Sequence, residues 1–166
     1  LGYLHRPIKG SMQDEHGQRL KPALQAKALQ AGWLQALETL PKGQQPVRVF
    51  YDTTDNRDAE IALTNALHGL NTDGHGIELG NVDEGYDIGR RLGNTGVSGA
   101  LVEINLATMA SYLDGGASAV VYAGPDGSLT VQMIRPPDEA RKAKNRANRG
   151  AEPFKSGSPN GGVPRT

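Results

Sequence analysis

Two apolar, β-rich runs, Ser118–Tyr122 and Ser128–Ile134, flank the turn Gly124-Pro125-Asp126-Gly127, and this segment leaves the chain least conformational choice. Pro at the first turn position and Gly after Asp fit a type I turn followed by a bulge, so the segment predicts an antiparallel hairpin. A lone hairpin is marginal in water and must be covered by other elements.

Helices upstream supply the cover. Ala26, Leu29, Trp33, Leu37 and Leu40 recur at three- and four-residue spacing, which predicts an amphipathic helix over about Lys21–Leu40, with Pro22 in its first turn and Pro41 and Gly43 ending it. A second stripe, Ala59, Ala62, Leu63, Ala66, Leu67 and Leu70, predicts a helix over about Arg57–Leu70, with caps on offer from Asp52 to Asn56. Between them Val47–Tyr51 reads as a strand. Gly2–Ile8 holds one short strand that Pro7 restricts to an edge, Ile77–Leu79 a second, and Asp83–Leu92 one or two helical turns closed by Gly93. Ser98 suits the N-cap of a helix over Gly99–Leu113, with Val97 and Val102 spaced as a hydrophobic staple. Apart from Glu103 and Asn105 that helix is apolar nearly all round, which predicts burial. The order of elements implies an α+β domain, helices packed on one face of a small, mostly antiparallel sheet.

Pro136-Pro137 closes the folded part, so residues 1–137 are expected to form one domain and residues 138–166 a basic, partly disordered tail. The zero net charge hides this division. Residues 1–134 carry 10 Lys and Arg against 15 Asp and Glu, and residues 135–166 carry 8 against 3. Asp138–Asn148 is expected to be an exposed basic helix. It has no aromatic residues for base stacking, so nucleic acid is not expected as a partner. No apolar run approaches the roughly 18 residues needed to cross a bilayer, so no membrane insertion is expected in this segment. The chain starts at Leu1 without an initiator methionine and is expected to belong to a longer protein, in which an upstream anchor has a place.

No catalytic constellation stands out. The absence of cysteine removes disulfides and thiolate chemistry. The stretch Gly85–Ser118 sets Arg90 and Arg91 beside a glycine loop, Gly93–Gly99, that opens a helix. Such a loop can cradle an anion, yet it lacks the lysine of a P-loop and follows no clear strand, so a C-cap running into an N-cap accounts for it better. Asp52, Asp55 and Asp58 after a strand suit a divalent cation or acid–base work, and equally a helix N-terminus. His5, His16, His68 and His75 contain no pair at metal-binding helical spacing. No G-x-S-x-G elbow surrounds Ser98 or Ser111. A hydrolase or nucleotide-dependent enzyme built on the Asp52–Asp58 turn and the Gly93–Gly99 loop is thus the alternative. Catalytic residues, metal ligands and cofactors are expected to be none.

The blocks YDIGRRLGNTGVSGALV and DGGASAVVYAGPDGSLTVQMIRPP, with LGYLHRPIKGSMQDEHGQRLK near the start, resemble the type VI secretion lipase-adaptor family, a bacterial family encoded beside phospholipase effectors. The resemblance covers about residues 1–150. It implies a non-enzymatic bacterial cytoplasmic adaptor that holds a lipase effector and helps load it onto the secretion spike. The family brings no catalytic residues to carry over. If binding concentrates in aromatic and arginine anchors, residue type selects Tyr51, Tyr86, Arg90, Arg91, Tyr112 and Tyr122 as partner-binding candidates.

Overall fold

A computed structural model describes residues 1–52, 56–74, 85–93 and 99–149. The hairpin forms as expected. Strand β5 (Ala117–Ala123) runs antiparallel to β6 (Ser128–Arg135), with Val121 opposite Val131. The Gly124 N–H donates to the Ser128 carbonyl at 2.8 Å and Gly127 takes φ of +79°, a conformation for which glycine carries no Cβ penalty.

The edge beside β6 is filled by β1 (Tyr3–Leu4) and β2 (Ile8–Ser11), both antiparallel to it. Leu4 faces Ile134 and Ile8 faces Val131, so four residues along the edge match three along β6. The additional residue sits in the bulge at His5–Pro7, where proline has no N–H to give to a ladder. The Gln132 Nε2 amide donates to the His5 carbonyl at 2.8 Å and closes the bulge.

Beyond β5 the sheet turns parallel. Strand β3 (Pro46–Asp52) pairs in parallel with β5 on one side and with β4 (Gly85–Asp87) on the other. The six strands run in the order β1-β6-β5-β3-β4, with β2 also on β6. Three of the five pairings are antiparallel, so the α+β class and the mostly antiparallel sheet hold.

The layering differs from expectation in one respect. Helices α1 (Pro22–Glu38) and α2 (Arg57–Thr72) cover one face, and α4 (Gly99–Asp114), with the short α3 (Ile88–Leu92), lies on the other. The central strands explain this. Residues pointing to alternate faces are buried on both: Val49 and Tyr51 join Trp33, Leu63 and Leu67, whereas Phe50, Val120 and Ile134 join Ala107 of α4. A strand buried on both faces needs two layers of cover.

Local chemistry sets the helix ends. Pro22 starts α1, and the Asn56 side chain accepts from the Ala59 N–H at 3.1 Å to cap α2. The expected helical turns at Asp83–Leu92 are only partly helical. Gly85–Asp87 pairs with β3, and Asp87 then caps α3 by accepting from the Arg90 N–H at 3.2 Å. Gly93 ends α3 with φ of +77°. The expected strand at Ile77–Leu79, the Ser98 cap with its Val97–Val102 staple, His75, Asp55, residues 94–98 of the glycine loop and residues 150–166 lie outside the described residues. Helix α5 (Glu139–Arg149) forms where a basic helix is expected.

Candidate functional site

The corner built by β4 and α3 concentrates the selected residues. Tyr86 pairs in register with Phe50 and the two rings stack, with centroids 4.8 Å apart and planes 11° off parallel. The Arg91 guanidinium lies over the outer side of this stack, 5.2 Å from the Tyr86 ring centroid. Asp87, the next residue along, points to the opposite face beside Tyr51. Strand alternation followed by one tight helical turn thus separates two adjacent arginines into different surroundings.

Arg90 is exposed too, but it is engaged by carboxylates of the chain. It pairs with Glu60 of α2, and its Nε lies 3.5 Å from the Asp87 carboxylate. Arg91 is exposed and has no carboxylate partner among the described residues. Leu92, 58% exposed, follows it. A planar cation backed by a stacked aromatic pair and bordered by an exposed leucine has the composition of a protein-binding anchor.

The remaining tyrosines are placed differently. Tyr51 is buried among the α1–α2 core, and burial, followed by the carboxylates of Asp87 and Glu60, holds its hydroxyl above the usual phenol range. Tyr112 is buried at the end of α4, with the Lys142 ammonium of α5 at 5.2 Å from its ring centroid. Tyr122 is half-buried on the α4 side of the sheet, opposite Asp52 and Thr130. The six residues therefore do not form one surface. Tyr86, Arg90 and Arg91 meet at one corner, Tyr122 lies two strands away, and Tyr51 and Tyr112 are internal.

Helix α4 departs furthest from its sequence pattern. Its apolar periphery predicts burial all round, but the sheet-facing line is Gly99, Glu103, Ala107 and Ser111, at four-residue spacing. Small residues let the helix sit close on the strands, and this turns Leu101 and Leu113 outward, 65% and 53% exposed. Glu103 is 0% exposed, and neither carboxyl oxygen has a hydrogen-bond partner. Burial, reinforced by the charges of Asp52 and Asp87, pushes its carboxyl up to about 9, so it is protonated at neutral pH. At the other end of α4 the Ser111 and Ser118 hydroxyls are 2.8 Å apart, and buried Arg48 donates to Ser118 Oγ at 3.2 Å and to the Gly115 carbonyl at 2.7 Å.

The acidic turn does not assemble into a site among the described residues. Asp58 is exposed and paired with Arg19 at 3.0 Å, and no group of three or more His, Asp or Glu there is arranged to hold a metal. No described helix is long and apolar enough to cross a membrane. Sequence reasoning missed Phe50, whose stacking depends on a non-local strand pair, and Leu101 and Leu113. The polar residues of α4 carried the signal for that pair: Glu103 and Ser111, eight residues apart, mark the face turned to the sheet.

No solved structure matches the chain. The family model described as "Type VI lipase adapter protein Tla3, C-terminal" matches residues 1–136, which takes in every described element from β1 to β6. The adaptor resemblance meets this match over residues 1–136, and the chain belongs to the family of type VI lipase adapter protein Tla3, C-terminal domains.

Proposed function

We propose that this chain is the non-catalytic binding domain of a bacterial cytoplasmic adaptor, which holds a phospholipase effector for loading onto the type VI secretion spike. The family match over residues 1–136 carries the reading. In it, residues 1–137 act as one binding unit and residues 138–166 as its basic appendage. The corner of Tyr86 and Arg91 supports the reading, because an exposed guanidinium prepositioned on a ring loses little side-chain freedom when a partner covers it. Arg90 holds that corner to α2 through Glu60, and Tyr122 borders the same sheet face.

The most perturbed carboxyl among the described residues, Glu103, belongs to neither the Asp52–Asp58 turn nor the Gly93–Gly99 loop. Glu103 has the raised affinity for a proton that a general acid needs, but at 0% exposure it meets no substrate. Its burial makes it part of the packing of α4.

The direct test is co-elution. The purified domain, mixed with the phospholipase encoded beside it, is expected to move to an earlier volume on size exclusion as a complex containing both chains. Two separate peaks at micromolar concentrations would overturn the reading. Hydrolysis of lipid esters by the domain alone, lost in Asp52→Asn, would overturn its non-catalytic part.

A further inference from the structure

We propose that α5 is a displaceable strap, which closes over Tyr112 and competes there with a basic side chain of the effector. The competition rests on the adaptor reading; the opening of the strap does not.

The family match ends at residue 136, and α5 follows it at Glu139–Arg149. The surface beneath α5 is therefore a surface of the matched domain, covered by a segment outside the match. There the Lys142 ammonium stands 5.2 Å from the centroid of the Tyr112 ring, with Lys142 9% exposed and Tyr112 4%. Tyr112 is thus an aromatic residue of the binding domain that meets its own chain in place of solvent.

The hold of α5 is narrow. Lys142 is the one buried side chain among the described residues of the helix; Asn145 is half-buried and the rest are exposed. No residue of α5 is apolar beyond alanine, so it brings no hydrophobic stripe to the domain. Several of its bonds are its own and travel with it. Asp138 accepts from the Arg141 N–H at 2.7 Å, and Glu139 pairs with Lys142 at 3.1 Å. The seat given up on lifting is that of Lys142, its stem packed on the domain and its ammonium on the ring. At 11 residues α5 is also shorter than the roughly 12–15 at which isolated helices hold their shape, so lifting and fraying go together. A helix seated in this way has an open state in the range of about 0.1–10% of molecules.

The uncovered seat selects a cation. The Tyr112 ring already receives an ammonium on its face, and exposed Asp114 ends the same helix two residues on. Asp138 and Glu139 move off with the strap. An aromatic face with a carboxylate close by is suited to a lysine or arginine side chain, the chemistry that Lys142 supplies from within.

Hydrogen exchange on the whole chain tests the strap. Interior amides of α5 are expected to be at least tenfold less protected than those of α4, less protected again in Lys142→Ala, and as in the parent in Lys142→Arg. Protection of α5 equal to that of α4 would overturn the strap. Titration with the purified phospholipase encoded beside the chain tests the competition. Apparent affinity is reduced by the fraction of molecules that are open, so Lys142→Ala is expected to bind about tenfold more tightly. Tyr112→Leu also frees α5 but removes the seat, and is expected to show no gain. The Lys142 variants carry the test alone if Tyr112→Leu unfolds the domain. Affinity unchanged or weakened in Lys142→Ala, or raised as much in Tyr112→Leu, would overturn the competition while the adaptor reading stands. If neither the parent nor Lys142→Ala binds, the adaptor reading fails and the competition with it, and exchange still decides the strap.

Discussion

Arg90 is held by Glu60 across the gap between α3 and α2, whereas its neighbour Arg91 rests on the ring of Tyr86. The two arginines are adjacent in sequence and do different work. Arg90→Ala removes a pair with half-buried Glu60 and one with the buried Asp87 carboxylate, both made by a largely solvent-exposed guanidinium, so a stability loss of about 1 kcal/mol is expected. Arg91→Ala is expected to leave the melting temperature unchanged and to lower affinity for the phospholipase. Thermal melts with titration calorimetry separate these outcomes. A loss of affinity confined to Arg90→Ala would exchange the two roles.

Glu103 sets a pH dependence with a definite sign. Its carboxyl, ordinarily at 4.5, is held at about 9 in the fold, so the folded state binds the proton more tightly than the unfolded chain does. Stability from this group is fully present below about pH 4.5, falls as pH rises, and levels off above about 9. Relative to an unshifted carboxyl the penalty at pH 7 is about 3 kcal/mol. Glu103→Gln is expected to remove most of that slope, as followed by urea melts from pH 5 to 9. An unchanged slope in the variant would show that other groups cause it.

What was legible in the sequence follows from what local pattern can encode. The stripes of α1 and α2 pointed to Trp33, Leu63 and Leu67 because an amphipathic helix carries its orientation in its period. The hairpin was legible because its turn chemistry is local. Strand β4 was not, since three residues carry too little pattern and are ordered by pairing with β3, some 36 residues away along the chain. The parallel pairing of β3 with β5 is likewise a long-range choice, and it led to helices on both faces where one was expected. In α4 the near-uniform apolarity erased the orientation signal, and the usual rule that charge faces water inverts at Glu103. Residue type selects Arg91 and Tyr86 only as two of six binding candidates, and the register that brings Tyr86 against Phe50 is what makes them one feature.

His5 is expected to make the edge strand acid-sensitive. Burial, the dominant effect, lowers its imidazole below the usual 6.5, and its Nε2 is buried without a hydrogen-bond partner. The neutral ring is therefore favoured in the fold. The sign is that of a depressed base: the contribution is present above about pH 6.5 and is lost as pH falls below it. Hydrogen exchange at the His5 amide, which donates to the Met133 carbonyl, should accelerate in acid beyond its intrinsic pH trend. His5→Gln should abolish that excess, and an excess that survives the substitution would place the sensitivity elsewhere.

The Arg48 network at the far end of α4 predicts an asymmetry between two substitutions. Ser118 stands between Arg48 and Ser111, accepting from one and exchanging a hydrogen bond with the other. Ser118→Ala leaves a buried guanidinium donor and a buried hydroxyl without that partner, at an expected cost of about 1–3 kcal/mol. Ser111→Ala removes only the second contact and leaves Arg48 satisfied at Ser118 and at the Gly115 carbonyl, so a cost of about 1 kcal/mol or less is expected. The double variant should cost less than the sum of the two, because the contact between the serines is lost only once. Chemical denaturation of the four proteins measures the coupling. Strict additivity would mean that the two hydroxyls act independently and that α4 is seated on the sheet by its small residues alone.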